Sequence, residues 1–343
     1  MESPQRIVLI LPCCIGDVVL ATATLQALRR AYPQASITWA VGSWSKPAIE
    51  HHPLLDAVID TGSEALPVKS LSGMLRFVRQ LRAGQFDLAV SLVRSPLMSL
   101  AVLLSGIPHR AGLDSGGRGF GYTIRAKIDP NVPRHEAEIY LDVARALGID
   151  TTNCRANIPV TDADRASILA RLRSMVADGA YVVINPAGGR NPGMVLDVKR
   201  WPAPNFAALA NRFGLPVVLI GGKGDEALIE AVKAALSVPS LSFVGQLSFG
   251  EIAALAREAR LYVGNDTGLT HLAAAAGAKT VMILGPSDPQ RYAPFADDAL
   301  ALWKPAAIQR GGVAAGAPRD WDWARDGISV DDAEANIRAW LGK

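Results

Sequence analysis

Short apolar runs alternate with helix-spaced segments along nearly the whole chain, and this alternation, met once in each half, restricts the fold more than any other feature. In the first half, 6–11, 36–41, 57–60, 87–92 and 109–112 read as strands, while 17–31, 71–83 and 95–105 carry helical spacing between short joints marked by Gly or Pro. Strand, helix and strand in that order build a parallel sheet covered by helices. The segment 134–147 is a further helix, with Ile139, Leu141, Val143, Ala144 and Leu147 as its apolar positions, and the polar stretch 150–157 after Gly148 reads as a linker. The second half repeats the scheme: a helix over 162–177, strands at 181–185, 216–220, 241–244, 261–264 and 280–284, and helices at 203–213, 225–236, 249–259 and 268–276. Four of these strands are near-continuous apolar runs, as expected when both faces of a sheet are covered. A last helix spans 330–341, and the two halves share an architecture without a sequence repeat.

The expected fold class is therefore α/β, with two Rossmann-like doubly wound domains over 1–157 and 158–343. Length agrees, because 343 residues exceed what one core usually fills. A net charge of +3 gives no reason to expect a nucleic-acid partner. Three cysteines, with Cys13 and Cys14 adjacent, do not make a disulfide framework and point to a reducing, cytoplasmic setting. The apolar start at 7–11 has only Arg6 ahead of it and reads as a first strand, and 97–104 is far too short to span a bilayer. Attachment to a membrane surface leaves little trace in composition and stays open.

Ligands of open parallel sheets bind beyond the carboxyl ends of the strands. The clearest loop there is Gly264-Asn265-Asp266-Thr267-Gly268-Leu269-Thr270-His271, which opens a helix. Thr267 and Gly268 would offer backbone N–H groups to a pyrophosphate, and His271, one turn in, could face the same ligand; equally, Asp266 or Thr267 could simply cap the helix. Gly221-Gly222-Lys223-Gly224-Asp225-Glu226 matches neither a Walker A motif nor a dinucleotide fingerprint, yet an acid at its end could hold ribose hydroxyls. Pro186-Ala187-Gly188-Gly189-Arg190 and Lys199-Arg200-Trp201-Pro202 bring cations that could neutralise a departing diphosphate. In the first half, Ile15-Gly16-Asp17 follows the first strand; Asp17 is expected to look into the space between the domains as a general base, and to cap its helix as well. The pairs Asp162–Asp164 and Asp320–Asp322 end no apolar strand and read as a helix start and a surface loop, so no metal and no cofactor are expected.

Taken together, Ile15-Gly16-Asp17-Val18-Val19-Leu20, Lys199-Arg200-Trp201-Pro202, the 264–271 loop and Gly285-Pro286-Ser287-Asp288-Pro289 resemble the ADP-heptose:lipopolysaccharide heptosyltransferases, inverting glycosyltransferases of family nine with the two-domain GT-B fold. His135-Glu136 and Ile328-Ser329-Val330 are weaker echoes. The resemblance implies a nucleotide sugar, ADP-heptose above others, held in a cleft and passed to a hydroxyl of a lipopolysaccharide-core or other glycan acceptor, lipid-linked or oligosaccharide. It implies Asp17 as catalytic base and Lys199 as the cation on the phosphates. Thr267, Gly268 and His271 would line the diphosphate and sugar, supported by Asp266, with Asp225 or its neighbour Glu226 on the ribose and the base near Leu247. Ala187, Gly188 and Arg200 extend the expected donor-binding set, and the last helix would cross back onto the first domain. The chain departs from the pattern at Pro12-Cys13-Cys14 and over 310–325, where no cysteine occurs; Ser91 and Arg94 stand where relatives carry polar residues facing the acceptor. Two rivals share the nucleotide pocket: a sugar-nucleotide epimerase, which would convert donor without acceptor, and a noncatalytic nucleotide-binding protein, which would turn over neither.

Overall fold

The structure, a computed structural model, describes residues 3–173, 180–304 and 321–342. The chain divides into two units, 1–157 with 191–193 and 158–190 with 194–343. The first runs β1 (Arg6–Ile10), α1 (Ile15–Ala31), β2 (Ser36–Val41), β3 (Ala57–Asp60), α2 (Leu71–Ala83), β4 (Leu88–Ser91), α3 (Pro96–Leu104), β5 (His109–Ser115), β6 (Ile124–Ile128) and α4 (Glu136–Ala146). The second runs α5 (Asp162–Leu172), β7 (Val182–Asn185), β8 (Arg190–Asn191), β9 (Met194–Val195), α6 (Ala203–Phe213), β10 (Val217–Gly221), α7 (Glu226–Ala234), β11 (Ser240–Val244), α8 (Phe249–Glu258), β12 (Leu261–Asn265), α9 (Gly268–Ala275), β13 (Thr280–Ile283), α10 (Pro289–Tyr292), β14 (Ala299–Leu302), α11 (Trp323–Asp326) and α12 (Val330–Leu341).

Each unit holds one six-stranded parallel sheet. The orders are β3-β2-β1-β4-β5-β6 and β11-β10-β7-β12-β13-β14, so each reads third, second, first, fourth, fifth, sixth within its own unit. That order reverses direction once, between β1 and β4 and between β7 and β12, and the crevice outside the carboxyl ends at that reversal is where such sheets take ligands. Central strands are buried on both faces: Ile7 to Ile10 and Val182 to Ile184 are all shielded from solvent. Right-handed crossovers then dictate the helix layers. In the first unit α1 and α4 pack together on one face of the sheet, and α2 and α3 on the other. In the second unit, Trp201 and Phe206 meet edge to face at 5.1 Å beneath α6, in a core shared with Val182, Ile184, Leu219 and Val263.

Local capping fixes where the helices begin. Ser70, Ser95, Thr161, Ser248, Thr267 and Ser329 each accept a hydrogen bond from a first-turn N–H. One expectation about a cap changes. Cys14, not Asp17, occupies the N-cap of α1, leaving Asp17 at the third helical position. Asp225 stands at the N-cap of α7 without capping it, its Oδ2 accepting instead from the N–H of Gly222 at 3.0 Å. The adjacent Cys13 and Cys14 are joined by a disulfide, whereas the sequence suggests reduced thiols. Edge strands β6 and β14 and the β8–β9 hairpin are additions, and β5 runs on to Ser115. The expected helix at 162–177 ends at Leu172, and 174–177 lie outside the described residues, as does Asp320. Asp162 opens α5 and Asp322 caps α11, a helix start and a loop end. The last helix buries Ala333 and Ile337 in the second unit's core and packs on α6 and β14.

Candidate active site

In the first unit, the end of β1 and the end of β4 flank the sheet's reversal point. The β1 loop delivers Asp17 and the β4 loop delivers Arg94, while α4 brings Glu136 and Tyr140 alongside. Asp17 is half-buried. Its Oδ1 accepts the Tyr140 hydroxyl at 2.7 Å, and its Oδ2 lies 3.4 Å from the backbone N–H of Cys14. Glu136 is only 1 % exposed, and the Arg94 guanidinium donates to its Oε2 at 2.6 Å. Burial, and next the negative charge of Glu136, push the Asp17 carboxyl above its ordinary range, against the opposing pull of Tyr140, Cys14 and Arg94. A carboxylate raised in this way and still reachable is a better proton acceptor than a solvated one. Burial, then the charge of Asp17, likewise hold the Tyr140 phenol well above its usual value, so it acts here as a hydrogen-bond donor.

Sequence reading singles out Asp17 and Arg94 in this cluster but not Tyr140, and treats Glu136 only as part of a weak echo. The missed signal is the spacing of Glu136 and Tyr140, four apart and so on one helix face. Ser91 is fully buried and accepts the Tyr122 hydroxyl at 2.8 Å, so it buttresses the sheet. Beyond the carboxyl end of β3, a cavity of about 590 Å³ opens between Asp60, Thr61, Glu64, Lys69 and Arg76, walled by the first turns of α2. It lies at the same edge of the sheet as Asp17 but two strands from the reversal point.

In the second unit the reversal point lies between β7 and β12. The loop after β7 carries Ala187 and Gly188, and the loop after β12 carries Asp266 and Thr267, so the topology brings these together. Gly188 has φ of +139°, and a Cβ on it would stand 2.1 Å from Thr267 Cγ2, so only glycine lets the two loops approach. Asn265 ties the arrangement: its Oδ1 accepts from Trp201 N–H at 2.9 Å while its Nδ2 donates to the Pro186 and Ala187 carbonyls at 2.8 and 3.2 Å. Arg200 donates to the Gly188 carbonyl at 2.9 Å and pairs with Asp197. Thr267 caps α9 by accepting from Leu269 N–H.

Lys199 is committed to a partner. Its Nζ lies 2.5 Å from Asp266 Oδ2, which also accepts from the Ser287 hydroxyl at 2.6 Å, and His271 Nε2 is 3.9 Å from Asp266 Oδ1. Burial works against ionising Asp266, yet Lys199 and then His271, with Ser287, outweigh it and hold the carboxyl below its ordinary range. Asp266 is therefore the anionic centre of a buried network that Lys199, His271 and Ser287 share, a larger part than loop support. An ammonium has three donors, so the pair leaves Lys199 able to meet a second anion. Toward the β10 end, Asp225 is buried with Arg190 Nη1 at 3.7 Å from its Oδ1, while Glu226 is exposed and accepts from Gly224 N–H. Leu247 is half-buried in the loop between β11 and α8. Three buried polar atoms here, Oδ1 of Asn185 at the end of β7 and, on the loops, Arg200 Nη2 and Asp225 Oδ1, have no hydrogen-bond partner among the described residues. Buried polar atoms are nearly always satisfied, so these three are open to a polar ligand.

The family model described as glycosyltransferase family 9 (heptosyltransferase) matches residues 74–310. The chain is similar to lipooligosaccharide heptosyltransferase 2 of Haemophilus influenzae, 27% identical over 312 residues that cover 87% of this chain and 88% of the relative. Among solved structures, the glycosyl transferase family 9 protein of Veillonella parvula superposes with a TM-score of 0.82 at 24% identity, covering 99% of this chain and 98% of the other. ADP-heptose lps heptosyltransferase II of E. coli superposes at 0.76 and 22% identity, covering 98% of each.

Proposed function

This chain belongs to glycosyltransferase family 9, and from that premise we propose that it transfers heptose from ADP-heptose to a hydroxyl of a lipopolysaccharide-core acceptor by a single inverting displacement. The sugar and nucleotide are carried over from the names of its relatives. Asp17 takes the proton of the acceptor hydroxyl. The oxygen so freed bonds to the anomeric carbon as the bond from that carbon to the diphosphate breaks, and ADP leaves with the electron pair. Tyr140 orients the carboxylate, and the negative charge of Glu136, itself paired with Arg94, helps keep it basic.

The second unit binds the donor. Asp225, flanked by Glu226, receives the ribose hydroxyls, the base rests at Leu247, and the diphosphate lies on Gly188, Thr267, Gly268 and the α9 N-terminus, with Ala187 beneath. Lys199, Arg200 and His271 supply positive charge and donors as the leaving group gains negative charge, so no metal ion is needed in this reading. The observation that supports it most directly is the set of unsatisfied buried atoms on Asn185, the last residue of β7, and on the loop residues Arg200 and Asp225. In the first unit, Lys69 and Arg76 on the wall of the β3 cavity suit an anionic glycan acceptor, one that is lipid-linked at the membrane surface.

The test is a transfer assay with ADP-heptose and a deacylated core acceptor, with the product's anomeric configuration read by NMR. Inversion and unchanged turnover in excess EDTA are expected. A product that keeps the donor's configuration would sink the single-displacement mechanism, and loss of activity on chelation would sink metal independence.

A further inference from the structure

Between Ala65 and Leu113 the chain carries six Lys and Arg residues and a single acid, Asp87, although the protein as a whole is nearly balanced at +3. That acid is occupied, its carboxylate accepting from the backbone N–H groups of Gln5 and Arg6. The stretch contains α2 and α3, which pack side by side on one face of the first sheet. The inner side of α2 is ordinary core, with Phe77, Val78 and Leu81 buried. Its outer side is not an ordinary solvated face: Leu71 and Leu75, four apart, are 74 % and 47 % exposed, and Arg76, Arg79 and Arg82 stand exposed beside them. Helix α3 contains no charged residue and exposes Leu97, Leu103 and Leu104. The two faces adjoin, since Arg82 reaches across to the Leu104 carbonyl at 2.7 Å. Five exposed leucines on neighbouring helices, interleaved with arginines and free of acids, make a patch of a kind that monomeric proteins rarely leave to water.

We infer that this α2–α3 face docks on a bilayer containing anionic lipid, the leucines entering the boundary between headgroups and acyl chains while Arg79 and Arg82 meet phosphates. Charge complementarity selects this occupant: a purely apolar partner would leave the arginines unmatched, whereas an anionic interface satisfies both. Continuity strengthens it, because the first turns of α2 wall the cavity that holds Lys69 and Arg76 while its outer side carries the leucines. The docked orientation would thus present the acceptor cavity beside the surface in which a lipid-linked acceptor is embedded. The inference rests on the acceptor reading above only for that last point.

The experiment is co-sedimentation of the full chain with vesicles of phosphatidylcholine alone and of phosphatidylcholine with phosphatidylglycerol, in low and high salt. Binding to the anionic vesicles alone, weakened by salt, is expected. Leu71→Ser with Leu75→Ser should abolish it, and Arg79→Glu should lower the partition coefficient roughly five- to thirtyfold, since each basic residue near an anionic surface adds about one such factor. Both variants should keep wild-type turnover on a deacylated, water-soluble acceptor, which separates failure of docking from failure of the transferase reading and shows that the fold survives. Equal binding to both vesicle types, or to neither, overturns the inference. So does a wild-type dimer in light scattering that the double leucine variant converts to monomer, an outcome that assigns the face to a second copy of the chain.

Discussion

At the scale of single residues, two carboxylates in this protein are tuned in opposite directions, and the signs lead to different mutational outcomes. The Asp17 carboxyl is raised, chiefly by burial and then by Glu136. The folded chain therefore binds this proton more tightly than the unfolded chain does. The stabilisation from that proton is complete below the unfolded value and is lost as pH rises through the folded one, so ionised Asp17 is a net cost at neutral pH. Asp17→Asn should then melt at or above the wild-type temperature at pH 7, with the difference shrinking toward about pH 4. Turnover should fall by about a hundred- to ten-thousandfold, as expected for loss of a general base. Calorimetry across pH beside steady-state kinetics checks both, and a variant that melts lower yet works normally would remove Asp17 from the mechanism. In the wild type, kcat/KM should decline on the acid side as Asp17 protonates. Asp266 has the reverse sign, lowered by Lys199 and His271 against burial, so its contribution is present above the unfolded value and lost as pH falls through the folded one. Lys199→Met would strand that carboxylate, at a cost of about 3–5 kcal/mol. Lys199→Met combined with Asp266→Asn should recover most of that stability in denaturant melts while leaving turnover as low as in the single variant; if the double variant regains activity, Lys199 has no part beyond pairing.

At the scale of elements, the chemistry proposed above rests on segments at the carboxyl ends of the strands, and backbone geometry decides how close they come. Gly188 and Thr267 touch because a Cβ is absent. Gly188→Ala would force a 2.1 Å contact to relax, moving the loop that bears Ala187 away from α9. ADP affinity measured by calorimetry should drop by about tenfold or more, with the melting temperature of the unliganded protein reduced by less than a core truncation would cause. Unchanged ADP affinity would show that the diphosphate lies elsewhere. The central strands were legible in the sequence because burial on both faces makes each an unbroken apolar run, as in Ile7-Val8-Leu9-Ile10. Edge strands were not. Ile124-Arg125-Ala126-Lys127-Ile128 alternates, as a strand with one wet face must, and Ala299-Leu300-Ala301-Leu302 has the composition of a helix. Only a neighbouring strand, β5 in one case and β13 in the other, makes either of them extended.

For the whole molecule, the two units have the same strand order without a shared sequence, and each has its own buried charged cluster: Asp17 with Tyr140 in the first, Lys199 with Asp266 in the second. Binding of ADP should raise the melting temperature of wild type and Asp17→Asn alike, by the equivalent of about 2.7 kcal/mol at a hundredfold excess over Kd, and by less in Gly188→Ala. An Asp17→Asn protein that no longer responds to ADP would mean the two functions are not separable. The sequence by itself determined the α/β class, the doubling of the sheet and the family, because apolar periodicity and short motifs are local properties of the chain. Tertiary structure decided which charges are spoken for. That Lys199 belongs to Asp266, that Ser287 joins them from another loop, that Tyr140 finds Asp17 across more than a hundred residues, and that Ser91 is hidden under Tyr122 all depend on which strand ends the fold brings side by side. Hydrogen bonds and burial are set by distance in space, and no spacing along the chain encodes that distance.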